Sequence, residues 1–300
     1  MKLQSTLTLI FTLLIINNVY AMDADIVKCN AAVDNRDAAG ALTIANHALK
    51  ANKNDIDALI CKGRAFSISG DVQGAVTTLK QAADLSPTPF DKTVVAILTG
   101  NAYKMAKQYD QAIESYHQAA ELAKTDKNQN YERISINLAG DSFFETQKYQ
   151  QALDAYTAAS KLAANDNERG ESYENIALTH HKLGQNDAAL EYQIKAYFTH
   201  EKVGTLDQYA HSSIELGRYY TIAKNYVAAE NTLNKIIKFA KEQGGAYYEA
   251  QGYYLLAKVK VATGDKPAAL ALIEKANKIA QETKDQALTQ EILDETAGIV

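Results

Sequence analysis

The stretch Ile56–Pro89, IDALICKGRAFSISGDVQGAVTTLKQAADLSPTP, reads as two amphipathic helices joined by a tight turn. Gly70-Asp71 supplies that turn, because glycine ends a helix in a left-handed conformation and aspartate caps the next one. Gly63 in the first helix and Ala75 in the second leave room where the two helices approach. Phe66, Leu79 and Ala82 recur at helical spacing around them and mark the faces that pack.

Working outward, the same pattern returns along the chain. Small residues matching Ala75 stand at Ala41, Ala112, Ala152, Ala189, Ala229 and Ala269, so successive spacings are 34, 37, 40, 37, 40 and 40 residues. Twelve residues before each of these seven alanines sits another small residue: Cys29, Gly63, Gly100, Gly140, Ala177, Gly217 and Ala257. A bulky side chain follows three residues later in the middle copies, at Phe66, Tyr103, Phe143, His180 and Tyr220. Ala32 and Lys260 replace it in the first and last copies, as expected of units that face solvent. Three extra residues turn a helix by about 300°, close to a full turn, so copies of different length keep their buried faces in register. Gly264-Asp265 repeats the turn signal, and Pro267 falls in a first helical turn, where its missing N–H costs little.

On Gly63, Phe66, Gly70, Ala75, Leu79, Ala82 and Pro87, the chain resembles the tetratricopeptide repeat family, and its 37- and 40-residue copies look like an elongated subtype. The resemblance implies an all-α, right-handed superhelical solenoid of about seven helix-turn-helix repeats over residues 22–284. A C-terminal capping helix and tail is expected over 285–300, with Leu288, Ile292 and Leu293 inward and acidic residues around them.

Composition agrees with such an array: 3 Pro, 15 Gly and no Trp in 300 residues, with 47% hydrophobic residues to fill an interior. The formal charge is −5, from 31 basic and 36 acidic residues spread along the chain, which gives no basic footprint for nucleic acid. Residues 1–21 read as a signal peptide cut after Ala21: Lys2 leads an apolar run from Leu7 to Ile16, too short to span a bilayer comfortably. The expected product is secreted or periplasmic, with no membrane span after cleavage.

No phosphate loop, nucleophile elbow or zinc-protease motif is present, so the expectation is a non-enzyme with no cofactor and no metal site. His180 and His181 are adjacent and point about 100° apart on a helix, which suits packing better than shared ligation. Asp141 and Glu145 share a helix face and are read as solvated wall. Tyr103, Tyr116, Tyr156 and Tyr220 are expected in the core, and the Tyr247, Tyr248, Tyr253 and Tyr254 group is expected to leave one ring exposed. Cys29 and Cys61 fall on first helices of neighbouring repeats. They are either a disulfide, stabilising the N-terminal end by roughly 3 kcal/mol, or two buried thiols.

In the register the resemblance implies, the concave wall carries Arg64, Asn101, Lys104, Asn137, Asp141, Glu145, Glu174, His181, Arg218 and Lys258, with Asn175 one position further round. These are the candidate binding residues, basic toward both ends and acidic in the middle, and Lys235 stands on the opposite, convex face. The Lys, Asn and Arg set with which some members hold a chaperone's terminal carboxylate is absent: Ile26, Asn30 and Cys61 occupy its places. The expected partner is a protein or extended peptide held by an exported scaffold in an envelope assembly. The alternative is a receptor for a small ligand or signalling peptide that tightens the superhelix.

Overall fold

The computed structural model describes residues 24–299, so the expected signal peptide lies outside the described residues. These residues form fifteen α-helices and no strand, and none of the helices is long and apolar enough to cross a membrane. They divide into two compact units, the first running to Thr146 and the second from Gln147.

The first unit contains α1 (Ala24–Asp34), α2 (Ala38–Ala51), α3 (Ile56–Ser69), α4 (Val72–Leu85), α5 (Pro89–Met105), α6 (Tyr109–Thr125) and α7 (Gln129–Glu145). The second contains α8 (Tyr149–Ser160), α9 (Asp166–Lys182), α10 (Asn186–Val203), α11 (Leu206–Ile222), α12 (Tyr226–Gln243), α13 (Ala246–Ala262), α14 (Lys266–Thr283) and α15 (Gln286–Thr296). Odd-numbered helices up to α13 open each repeat and even-numbered ones close it. We call them A and B helices.

The turns form as their chemistry requires. Asp71 accepts the Gly74 N–H at 2.8 Å, and Gly70 takes φ +85° with open space around it. In the third, fourth and sixth repeats Lys107, Gln147 and Lys224 take the same left-handed conformation. That departure costs about 1 kcal/mol each, and packing on both sides of the turn offsets it. Thr88 with Asp91 and Thr205 with Gln208 form capping boxes that start α5 and α11.

Packing between the two helices of a repeat follows one rule. All seven anchor alanines are fully buried on B helices. In the second, third and sixth repeats the residue four places after the anchor projects onto the small A-helix residue. A Cβ added to Gly63 would stand 2.6 Å from Leu79, one on Gly100 2.4 Å from Tyr116, and one on Gly217 2.5 Å from Leu233. Glycine is needed there for its lack of bulk. The fifth repeat departs from the rule: Gln193 is buried in the position of Leu or Tyr, and its amide donates to the Ser212 carbonyl at 3.1 Å.

Within the first unit α1, α3, α5 and α7 lie side by side, each touching the next, and in the second α11, α13 and α15 do the same. B helices of successive repeats do not pack so closely. The layer whose neighbours touch is the inner one of a curved stack, so in each unit the A helices form the concave wall.

Several expected burials need correction. Tyr116 and Tyr156 are buried, whereas Tyr103 and Tyr220 are only half-buried, because the residue just before each of them takes the interior place. Tyr254 is fully buried and Tyr247 is the exposed ring of its group, at 42%. In α15, Leu288, Ile292 and Thr296 face inward and Leu293 is 53% exposed. Steps of four residues hold one face of a helix, and Thr296 is tolerated there because its hydroxyl donates to the Ile292 carbonyl.

Candidate functional site

In the first unit the wall residues link neighbouring repeats. Arg64 on α3 donates to Asn30 and to Asp34 on α1, each at 2.9 Å. Lys104 on α5 meets Asp141 on α7 at 3.1 Å. The Tyr116 hydroxyl, coming from behind the wall, donates to Asn101 Oδ1 at 2.7 Å, which leaves the Asn101 amide N–H groups out of that bond. Burial and the charge of Asp141 push the Tyr116 phenol up, so it stays a donor. Asn137 Oδ1 is buried without a hydrogen-bond partner, and Glu145 stands exposed at the end of α7. Asn101, Lys104, Asn137 and Asp141 thus share one half-buried surface made by α5 and α7.

In the second unit the wall carries both acidic and basic groups. Glu174 on α9, with 20% of its side chain exposed, accepts from the Ser212 hydroxyl on α11. Since the serine proton goes to the carboxylate, His200 Nδ1 must donate to Ser212 Oγ, 2.6 Å away. The other nitrogen, Nε2, is buried beside Gly170 without a partner. Asn175 is half-buried one position round from Glu174. His180 stacks on Tyr192 at 5.4 Å, while His181 meets the edge of Tyr219, so the two rings serve different contacts.

Arg218 and Lys258 do not form an open basic end of the wall. Both bind Glu295 of α15, Arg218 at 2.9 Å, and Arg218 also reaches Glu215 at 3.2 Å. One turn earlier, Glu291 accepts from Tyr247, Gln251 and Tyr254. Glu291 and Glu295 therefore face the wall, whereas Asp294 is exposed and accepts from Gln290 of its own helix. Charge reversal at Arg218 or Lys258 would loosen α15, so those two residues are structural latches. Lys235, on the B side, also holds repeats together: it donates to Tyr197 Oη and Glu201, each at 2.8 Å.

Residues 168–242 match the tetratricopeptide repeat family model, at the place where the A and B helices of the fifth and sixth repeats lie. Over those residues the chain carries tetratricopeptide repeats. No curated protein sequence matches it. Among solved structures it is similar to the apo form of RapI, at 12% identity and a TM-score of 0.71, covering 92% of this chain and 81% of that one. A signal transduction ATPase with a tetratricopeptide repeat sensor, from Pyrococcus horikoshii, gives 15% identity and 0.67 over 94% of this chain and 45% of that one. Aspartyl phosphate phosphatase F from Bacillus subtilis gives 16% and 0.57 over 86% and 69%. At these identities the likeness is one of fold.

With the repeats in place, the missed residues share a signal. The bonded pairs Arg64–Asn30, Lys104–Asp141 and Lys258–Glu295 are 34, 37 and 37 residues apart, which are repeat lengths. A search for complementary side chains one repeat apart would have found Asn30 and Glu295. No such pattern marks His200, whose partner Ser212 is 12 residues away in the next repeat. Cys29 and Cys61 are bonded to each other and fully buried, with Cα atoms 6.2 Å apart, joining the first two repeats.

Proposed function

We propose that this protein is an exported interaction scaffold that holds a protein surface or extended peptide against the A-helix wall, as an adaptor in an envelope assembly. The observation that carries the reading is the patch of Asn101, Lys104, Asn137 and Asp141 on α5 and α7. Its members are half-buried and supply amide donors, an unpaired acceptor and a matched pair of charges, which suits a peptide backbone. Anchor alanines and glycines are committed to packing and have nothing to offer a partner. A receptor for a small ligand needs an enclosed pocket, and side chains spread along an open wall favour a scaffold. The reading includes no catalytic step, cofactor or metal, and no nucleic acid.

Export rests on residues 1–21 and is supported by the Cys29–Cys61 bond, because such bonds persist in oxidising compartments. The test is a photo-crosslinking amino acid placed in turn at Asn101, Asn137 and the exposed Lys238 on a B helix, followed by mass spectrometry on the adducts from cells. Adducts from the wall positions with a silent Lys238 position are expected. Adducts from Lys238 alone would contradict the reading.

A further inference from the structure

The B side of the first unit contains a cleft of about 590 Å³ between α4 and α6, with α5 as its floor. Leu79, Val95 and Ala96 line the bottom, and Val76, Ala83 and Leu122 the sides. Its volume lies in the range of about 300–1,000 Å³ typical of ligand sites.

The repeat itself shows why the space is empty there. In the sixth repeat the equivalent place, between α10 and α12, is a notch of about 210 Å³. Tyr197 occupies the position of Ala83, and Leu216 that of Thr99. Lys235 then bridges the B helices through Tyr197 and Glu201, with its ammonium 5.5 Å from the Tyr197 ring centre. Gln118 holds the position of Lys235 in the third repeat and finds Ala83 where the tyrosine would be. In the seventh repeat Tyr253 replaces Ala96 and Leu272 replaces Ser115, and Lys275 lies over the Tyr253 ring at 5.5 Å. The third repeat lacks the rings with which later repeats close the same gap.

We infer that this cleft is a second docking site, separate from the A-helix wall, and takes a protein segment whose aromatic side chain sits between Ala83 and Ala96 with a carboxylate beside it. The ring restores the contacts that Tyr197 and Tyr253 supply elsewhere. The charge follows from the rim. Lys80 on α4 and Lys92 on α5 are exposed on one flank, while Glu114 stands on the α6 flank. Asp84 also lies on the α4 rim and leaves the two lysines in excess on that side. An acidic residue of the segment therefore lies toward α4 and α5.

The test uses the protein, a short synthetic peptide centred on Glu-Phe, and its twin with Ala for Phe, read by NMR shifts of methyl groups. The Phe peptide should shift Val76, Val95 and Leu122, and the Ala twin should not. Ala83→Tyr, which installs the ring of the sixth repeat, should weaken binding by about tenfold or more with thermal stability kept. Lys80→Glu, at an exposed position, should weaken binding as well and carries the test if the tyrosine variant misfolds. Shifts equal for both peptides, no shifts, or unchanged affinity in Lys80→Glu would overturn the inference. Shifts of the side-chain amide signals of Asn101 and Asn137, with the methyl groups of the cleft unmoved, would overturn it too, while leaving the wall reading intact.

Discussion

At the scale of single residues, the fold rests on places where a side chain is small. Gly100 and Tyr116 meet because the ring uses the volume a Cβ would need. Alanine at each anchor does the same from the opposite helix. These positions were legible in the sequence, since bulk at a fixed interval is all that marks them. Ala152→Arg should cost several kcal/mol, about 3 or more, because a charged side chain would enter a fully buried site. Gln151→Arg, next to it and exposed, should change stability by less than about 0.5 kcal/mol. Urea titration of both variants checks the register, and equal losses would contradict it. The chain Glu174–Ser212–His200 was not legible, because its members belong to different helices and share no spacing. Asn137 was legible as a wall residue, but its buried, unpaired oxygen depends on how α7 sits against its neighbours.

At the scale of the helix, the two described ends are held by different devices. At the start, α1 buries only Ile26, Cys29 and Val33, and the first repeat packs on alanines, so the apolar area there is modest. The Cys29–Cys61 bond compensates, and for a loop of this length it is worth about 3 kcal/mol. Replacing both cysteines by serine should raise amide hydrogen exchange across α1 and α2 and leave the second unit unchanged. Exchange that stays the same throughout would show that the first repeat stands without the bond.

At the other end, α15 is latched by carboxylates. Although burial opposes it, the Lys258 hydrogen bond and the charge of Arg218 hold Glu295 below the usual carboxylate range. A lowered folded-state pKa contributes stability above the unfolded value near 4.5, and that stability is lost as pH falls through the lower folded value. Amide exchange in α15 should therefore be faster in Glu295→Gln than in the wild type above about pH 4.5, and the two should converge in more acidic solution. A constant difference across that range would refute the latch. The sequence pointed to Leu293 as buried because it is apolar. The helix instead buries Thr296, whose hydroxyl finds a partner within its own turn.

At the scale of the molecule, the repeats and a closing helix place polar groups from successive repeats on one layer within each unit. The repeat count and helical class could be read from spacing alone. Which wall residues stay available could not, because availability depends on partners in the neighbouring repeat: Arg218 and Lys258 are taken by Glu295, whereas Asn101 and Asn137 are not fully used. The central claim is that the wall of α5 and α7 holds the partner, and a charge swap tests it most directly. Lys104→Asp together with Asp141→Lys keeps an ion pair between the two helices and reverses the local polarity presented to the partner. With the crosslinked partner in hand, its affinity for the swapped protein is measured alongside the thermal midpoint. The account predicts an unchanged midpoint within a few degrees and affinity lower by about tenfold, near 1.4 kcal/mol. Wild-type affinity in the swapped protein would contradict it.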